Sequence, residues 1–315
     1  MKIVQAPRAS AILYNLLKSQ DNSRPWLLPA NICPIVPMTF FKAGVPIEFV
    51  DISAETLHMD LEQTEGRLRR GKYGGVLYAH TYGEPSTPVE FFHSVKSEYP
   101  NLLLVDDRCL CIPDLEPAQN TSADLVLYST GYAKVVELNF GGYAFLRDDT
   151  PYQPQHLSFN SKAYEQIESK YKQAIQNRSR FVYTDSDWLQ TDADLPAWYD
   201  YRQQIEDGLK ASLRHSAAIN KIYTDNLPGK CQLPPNYQTW RFNIRLQNKD
   251  QVIKSIFASS SFASSHYASL AGVMAAGQCP QAEKLEAEII NLFNDRYFDV
   301  HKAEQITAVI LEEIP

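Results

Sequence analysis

Apolar positions along the first half of the chain alternate between helical and strand-like spacing. Ala11, Ile12, Leu16 and Leu17 fall on one face of an amphipathic helix. Trp26-Leu-Leu-Pro follows as a short buried strand. The spacing predicts a helix over 34–43, opened by a proline whose missing N–H costs little in the first turn and closed by Gly44. Beyond it come a strand at Ile47-Glu-Phe-Val, a helix over 60–70, a strand at Gly75-Val-Leu-Tyr-Ala and a helix over 89–97. Leu102-Leu-Leu-Val is a continuous apolar run that ends in the carboxylates Asp106 and Asp107. Two more strands are expected at Asp124-Leu-Val-Leu-Tyr-Ser and Gly142-Tyr-Ala-Phe-Leu. Buried runs separated by helices require crossover connections, so the fold class is α/β with a doubly wound, mostly parallel sheet.

The second half reads differently. Residues 150–195 are polar and carry no clear period, and a long charged helix is expected over 199–226. Thr239-Trp-Arg-Phe-Asn-Ile-Arg-Leu alternates with period two, as a half-buried strand does. A helix over 250–258, a strand over 261–265 and two helices over 280–293 and 303–313 complete a smaller α+β unit. The working boundary between the halves lies near 195–225.

Composition narrows the function. The 315 residues allow about two domains, and 44% hydrophobic with 21% charged residues is ordinary globular material. Net charge is −7, which leaves no basic face for replacing phosphate counterions, so nucleic acid is not an expected partner. The cluster Arg67, Arg69, Arg70 and Lys72 reads as the solvated end of a helix. The most apolar stretch, 27–50, is broken by Lys42 and four prolines, so no membrane span is expected. Met-Lys-Ile-Val-Gln has no apolar run of signal-peptide length, and the expected compartment is the cytoplasm. Cys33, Cys109, Cys111, Cys231 and Cys279 are odd in number and form no C-x-x-C pair, as expected of small buried hydrophobes rather than a disulfide or metal framework.

No G-x-G-x-x-G, Walker P-loop, G-x-S-x-G or H-E-x-x-H motif is present. What remains is a set of polar residues at strand ends, where a doubly wound sheet places its ligand. Asp106 and Asp107 end one strand, Ser129 ends the next, Lys134 follows within Ser-Thr-Gly-Tyr-Ala-Lys, and Gly141-Gly142 opens another. One lysine, one carboxylate and hydroxyl or amide phosphate donors are what pyridoxal 5′-phosphate (PLP) needs: the lysine forms a Schiff base, and the acid keeps the pyridine nitrogen protonated. The same residues also fit a solvated loop lysine and two turn-capping aspartates.

The segment 124–146 resembles the lysine region of the DegT–StrS family of fold-type-I PLP aminotransferases, the sugar aminotransferases. Ser129, Lys134 and Gly141-Gly142 match the spacing of its F-S-F-x-x-x-K and G-E-G-G elements. Val105-Asp106-Asp107-Arg108-Cys109 resembles its E-D-A-A, and Tyr78-Ala-His-Thr-Tyr-Gly-Glu-Pro its V-H-x-Y-G-x-P. Leu28-Pro29, Ala43-Gly44 and Phe49-Val-Asp51 resemble its strand–helix–strand unit. Arg8-Ala9-Ser10-Ala11 stands in place of its S-G-T-A phosphate turn. Ser265-His266-Tyr267 and Gly277-Gln-Cys-Pro-Gln-Ala-Glu283 resemble its H-Y-x-P-L and G-x-C-P-x-A-E. Departures lie at Ala9 for glycine, at Leu110, at Asn139-Phe140 for G-E, and at the N-Y-R-M segment, of which Trp198-Tyr-Asp-Tyr-Arg202 is the nearest remnant.

The resemblance implies a large PLP-binding domain over 1–200, built on a seven-stranded sheet, and a small α+β domain over 201–315. It implies PLP as cofactor and Lys134 as its covalent anchor and as the base moving a proton between the substrate Cα and C4′. It gives Asp107 the pyridinium proton, and Ser129, Ser10 and the amides of Ala9 and Ser10 the phosphate. Asn31 and Cys33 fall where the family packs on the cofactor ring, and His80 and His266 are further cofactor-site candidates. The implied reaction moves an amino group from glutamate or glutamine onto a keto-sugar or related carbonyl compound, in a homodimer acting on small molecules. A PLP-dependent dehydratase or lyase, and a non-catalytic binding or regulatory subunit, are the alternatives.

Overall fold

The structure is a computed structural model describing residues 1–21, 23–118 and 121–314. In chain order, the first part contains β1 (Lys2–Ala6), α1 (Ala9–Lys18), β2 (Trp26–Pro29), α2 (Ile35–Ala43), β3 (Ile47–Val50) and α3 (Leu61–Leu68). It continues with β4 (Gly75–Ala79), α4 (Val89–Glu98), β5 (Leu103–Asp107), β6 (Leu125–Ser129) and β7 (Gly142–Leu146). The seven strands form one sheet in the order β1-β7-β6-β5-β4-β2-β3. Pairings from β3 across to β6 are parallel, while β7 runs antiparallel to both β6 and β1. The mostly parallel α/β sheet expected from the alternation is the one observed.

Strand pleat sends alternate side chains to opposite faces. Leu28, Leu77, Val105 and Leu127 pack on one side with Ile12, Leu13 and Leu16 of α1 and Phe40 of α2. Leu27, Val76, Leu104 and Val126 pack on the other with Leu68 of α3 and Phe92 of α4. Both faces are covered, which is why these strands are near-continuous apolar runs in the sequence. The strand β1 was not among the expected elements. It is an edge strand paired only to β7, and most of it is half-buried, so its apolar signal is weak.

The polar stretch after β7 contains α5 (Ser161–Gln176), and α6 (Trp198–Asn226) then carries the chain onward. Tyr201 and Ile205 in the first turns of α6 pack with the large sheet, whereas Ile219 and Tyr223 near its end pack with the small one. The junction expected at 200/201 thus falls inside a continuous helix. The remaining elements are β8 (Phe242–Arg245), α7 (Lys249–Ala258), β9 (Ala263–Ser264), α8 (Pro280–Glu288), β10 (Ile289–Leu292) and α9 (Val300–Glu313). Their strands form an antiparallel sheet in the order β8-β10-β9.

One expectation is corrected here. The helix read over 280–293 ends at Glu288, and Ile289-Ile-Asn-Leu is β10, the central strand of the small sheet. Ala282, Leu285 and Ile289 continue a helical spacing, but β10 is fully buried between two partners, and that tertiary pairing overrides the local period.

Among the described residues, no helix is long and apolar enough to cross a membrane.

Candidate active site

The two carboxylates ending β5 have separate surroundings because the pleat points them to opposite faces. Asp106 lies on the side of Leu104. Its Oδ1 is 2.6 Å from His80 Nε2, and its Oδ2 accepts from Arg108 Nε at 2.9 Å. Burial alone pushes the Asp106 carboxyl upward, but the His80 ring and the Arg108 guanidinium outweigh it and hold the group below the usual carboxylate value. His80 Nδ1 is 2.7 Å from the Glu84 carbonyl, so both ring nitrogens are occupied within this network. Asp107, on the side of Val105, is buried and accepts a hydrogen bond from the Cys109 amide at 3.0 Å, with the Cys109 thiol as a further partner.

Lys134 lies in the loop after β6, on a backbone pinned just before it. Ala133 has φ 55°, its amide donates to Glu137 Oε2 at 2.6 Å, and its carbonyl accepts from Trp240 Nε1 at 2.7 Å. The Lys134 side chain is half-buried and has no hydrogen bond or ion pair among the described residues.

Lys134 and Asp107 act electrostatically on the same two neighbours, the thiols of Cys33 and Cys109. Burial raises the Cys33 thiol, against the pull of the Lys134 charge, and Asp107 adds to the rise. Burial raises the Cys109 thiol too, helped by Asp107 and opposed by Lys134. The Tyr267 hydroxyl is pushed up by burial, with Cys33 and Asp107 adding to it. His266 is open to solvent, yet burial and then the charges of Arg241, Lys134 and Lys172 pull it down to about 4. Trp240 stacks on Tyr267 at 6.1 Å between centroids and 10° between planes.

The α1 N-terminus packs on Gly141 and Gly142. The Gly141 amide donates to the Pro7 carbonyl at 2.7 Å, with φ 91°. A Cβ at Gly142 would stand 2.3 Å from the Ala9 nitrogen, so only glycine lets β7 begin against this turn. Ser129 pairs with Gly142 across β6 and β7, which places it beside Ala9. Arg8 occupies the N-cap in extended conformation without a side-chain cap. The amides of Ala9 and Ser10 have no acceptor among the described residues, and they form the kind of helix terminus that binds anions.

Of the residues expected from sequence, Ser129 and Ala9 both adjoin Gly142, Lys134 and Asp107 act on the same two thiols, and the Lys134 charge reaches His266. The His80 ring stands apart, held by Asp106 and Glu84. Asn31 is buried, with its amide donating to the Leu57 carbonyl at 3.3 Å and its Oδ1 without a partner. Sequence reasoning missed Cys109 and Tyr267 as neighbours of Asp107, Trp240 as the ring stacked on Tyr267, and Tyr164, over which the Arg8 guanidinium sits at 5.7 Å. Cys33 and Cys109 are half-buried rather than core.

No protein-family model and no curated protein matches the chain. Solved structures do match in fold. A DegT DnrJ EryC1 StrS aminotransferase from Brucella abortus superposes with TM-score 0.67 at 15% identity, over 99% of this chain and 86% of that one. Aminotransferase TlmJ from Streptoalloteichus hindustanus gives TM-score 0.70 at 16% identity, over 98% and 84%. DesI, solved in the presence of its TDP-sugar product, gives TM-score 0.72 at 14% identity, over 98% and 80%. The fold expected from the resemblance, that of the fold-type-I aminotransferases, is the fold of this chain.

Proposed function

We propose that the protein is a PLP-dependent aminotransferase that moves an amino group from an amino acid, glutamate or glutamine, onto a keto-sugar or related carbonyl acceptor. The observation that supports this reading is a lysine with no hydrogen bond or ion pair among the described residues and a buried carboxylate acting on the same two thiols, next to a helix terminus packed on Gly142. The site fits the cofactor on its own chemistry. Unsatisfied amides at Ala9 and Ser10 suit a phosphate, and the bare Gly142 backbone leaves that turn accessible. Asp107 is placed to receive a ring N–H, and Lys134 is free to react.

When bound, PLP supplies an aromatic electron sink for charge developing at the substrate Cα. The chain's residues do the rest. Lys134 Nζ would hold the cofactor, and its amine would be the base that moves a proton at the donor Cα. Asp107 would keep a proton on the pyridine nitrogen. Ser129, Ser10 and the α1 amides would hold the phosphate, with Tyr267, backed by Trp240, beside them. His266 remains neutral at neutral pH and can accept a hydrogen bond from a substrate without adding charge.

The same reading makes 1–200 the cofactor-binding domain and 201–315 the smaller domain, and includes a cytoplasmic homodimer. Its test is transfer of label from isotope-labelled glutamate or glutamine to a panel of nucleotide-linked keto-sugars. Labelled amino-sugar supports the reading. Acceptor turnover without any amino donor would replace it with a PLP-dependent dehydratase or lyase.

A further inference from the structure

We propose that Arg8 is the charged clamp for the cofactor's phosphate, held ready by the ring of Tyr164. This rests on the PLP reading and adds a residue to it. A phosphate dianion leaving water needs positive charge as well as N–H donors, because neutral amides alone offset only part of its lost hydration. The turn at the head of α1 offers the donors, and the side chain standing at that turn is an arginine.

Four observations place Arg8 in this role. It is the N-cap residue of a ten-residue helix whose next two amides lack acceptors. Its backbone bridges to Gly141, so its Cα is fixed against the glycine pair that opens β7. Its exposed guanidinium has no hydrogen bond or ion pair among the described residues, and its cation lies over the Tyr164 ring at 5.7 Å. Tyr164 and Cys33 pack, partly buried, against the same core cluster, and the Tyr164 ring underlies Arg8.

Neighbouring cations are committed elsewhere. Arg202 pairs with Glu116 at 2.6 Å and Glu206 at 2.9 Å. Lys172 pairs with Glu168 at 3.2 Å. Glu168 lies one helical turn beyond Tyr164 on α5 and is paired with that lysine. An aromatic face is a weak partner that an arginine leaves at little cost when a phosphate arrives.

Fluorescence titration with PLP and with pyridoxal, which lacks the phosphate, tests the clamp in the full-length protein. Arg8→Ala should weaken PLP about tenfold or more while leaving pyridoxal unchanged. Arg8→Lys should recover part of the loss, because it restores charge without the planar fork. Inorganic phosphate should compete with PLP in the wild type and less well in Arg8→Ala. Tyr164→Leu should weaken PLP by a smaller factor. Unchanged PLP affinity in Arg8→Ala, or equal losses for PLP and pyridoxal, would overturn the clamp while leaving the PLP reading standing. A wild type that binds neither compound would overturn both.

Discussion

The carboxylate of Asp51, just beyond the end of β3, accepts a hydrogen bond at 2.9 Å from the backbone amide of Ala282 in the first turn of α8, 231 residues along the chain. Its second oxygen takes the Gln281 amide at 3.0 Å. A buried carboxylate thus caps α8, whose Ala282 and Leu285 pack in the same core cluster as α1 and α2, and satisfies two amides of its first turn. The two segments are the ones whose sequences resembled separate family elements, and the fold makes them a single joint.

Replacing that carboxylate isolates the joint. Asp51→Ala should lower unfolding stability by about 2 kcal/mol, because it leaves buried donors unpaired. Asp51→Asn should lose about half as much, since one oxygen remains. Urea denaturation measures both, and a loss below about 0.5 kcal/mol for Asp51→Ala would show that water replaces the cap freely.

Stability should depend on pH through His58. The ring is buried, and burial, then the neighbouring His80, depress it to about 4 from 6.5, against an opposing pull from Glu84. A depressed folded-state value means the unfolded chain takes up the proton first. The contribution is full above pH 6.5 and is lost as pH falls to about 4, on the order of 3 kcal/mol in all. His58→Gln, which has no such proton to take up, should give a flatter profile of urea midpoint against pH over that window. Parallel profiles for variant and wild type would rule out the assignment.

Gly142 offers a steric test of the phosphate turn. Gly142→Ala puts a Cβ 2.3 Å from the Ala9 nitrogen, so the turn must move, and both stability and PLP affinity should fall. Gly229→Ala, where a Cβ meets nothing within 4 Å, should change neither. Equal behaviour of the two variants in thermal melts and PLP titration would contradict the close approach.

Asp107 is assigned to chemistry rather than to packing. Asp107→Asn keeps the size and the bond from Cys109, so the melting temperature should change little, while the half-reaction with an amino donor slows about 100-fold or more. Stopped-flow absorbance gives that rate. A variant as fast as the wild type would remove Asp107 from the mechanism.

Much of this was legible because buried parallel strands advertise themselves. Runs such as Leu103-Leu-Val carry apolar side chains to both faces, and the polar residues that end them mark the ligand edge. Gly142 lies against the α1 turn, where a Cβ would stand 2.3 Å from the Ala9 nitrogen, so a glycine is required at that point of the motif. Edge and interior cases were harder. The helix α5 buries only Ile167, Tyr171 and Ala174 among polar neighbours, too thin a stripe to read, yet it supplies the Tyr164 ring beneath Arg8. In β10 the apolar run continued the period of α8, and only pairing with β8 and β9 made it a strand. His80 looked like a site residue from its strand-end position, but the pleat sends it to the face of Asp106.

The central claim is that Lys134 binds PLP. The most direct measurement is the absorbance of the purified protein incubated with PLP, beside Lys134→Ala. The account predicts a band between about 330 and 430 nm that borohydride fixes onto the peptide containing Lys134 and that the variant lacks. A folded wild type with no such band, or a band that persists unchanged in Lys134→Ala, would contradict it.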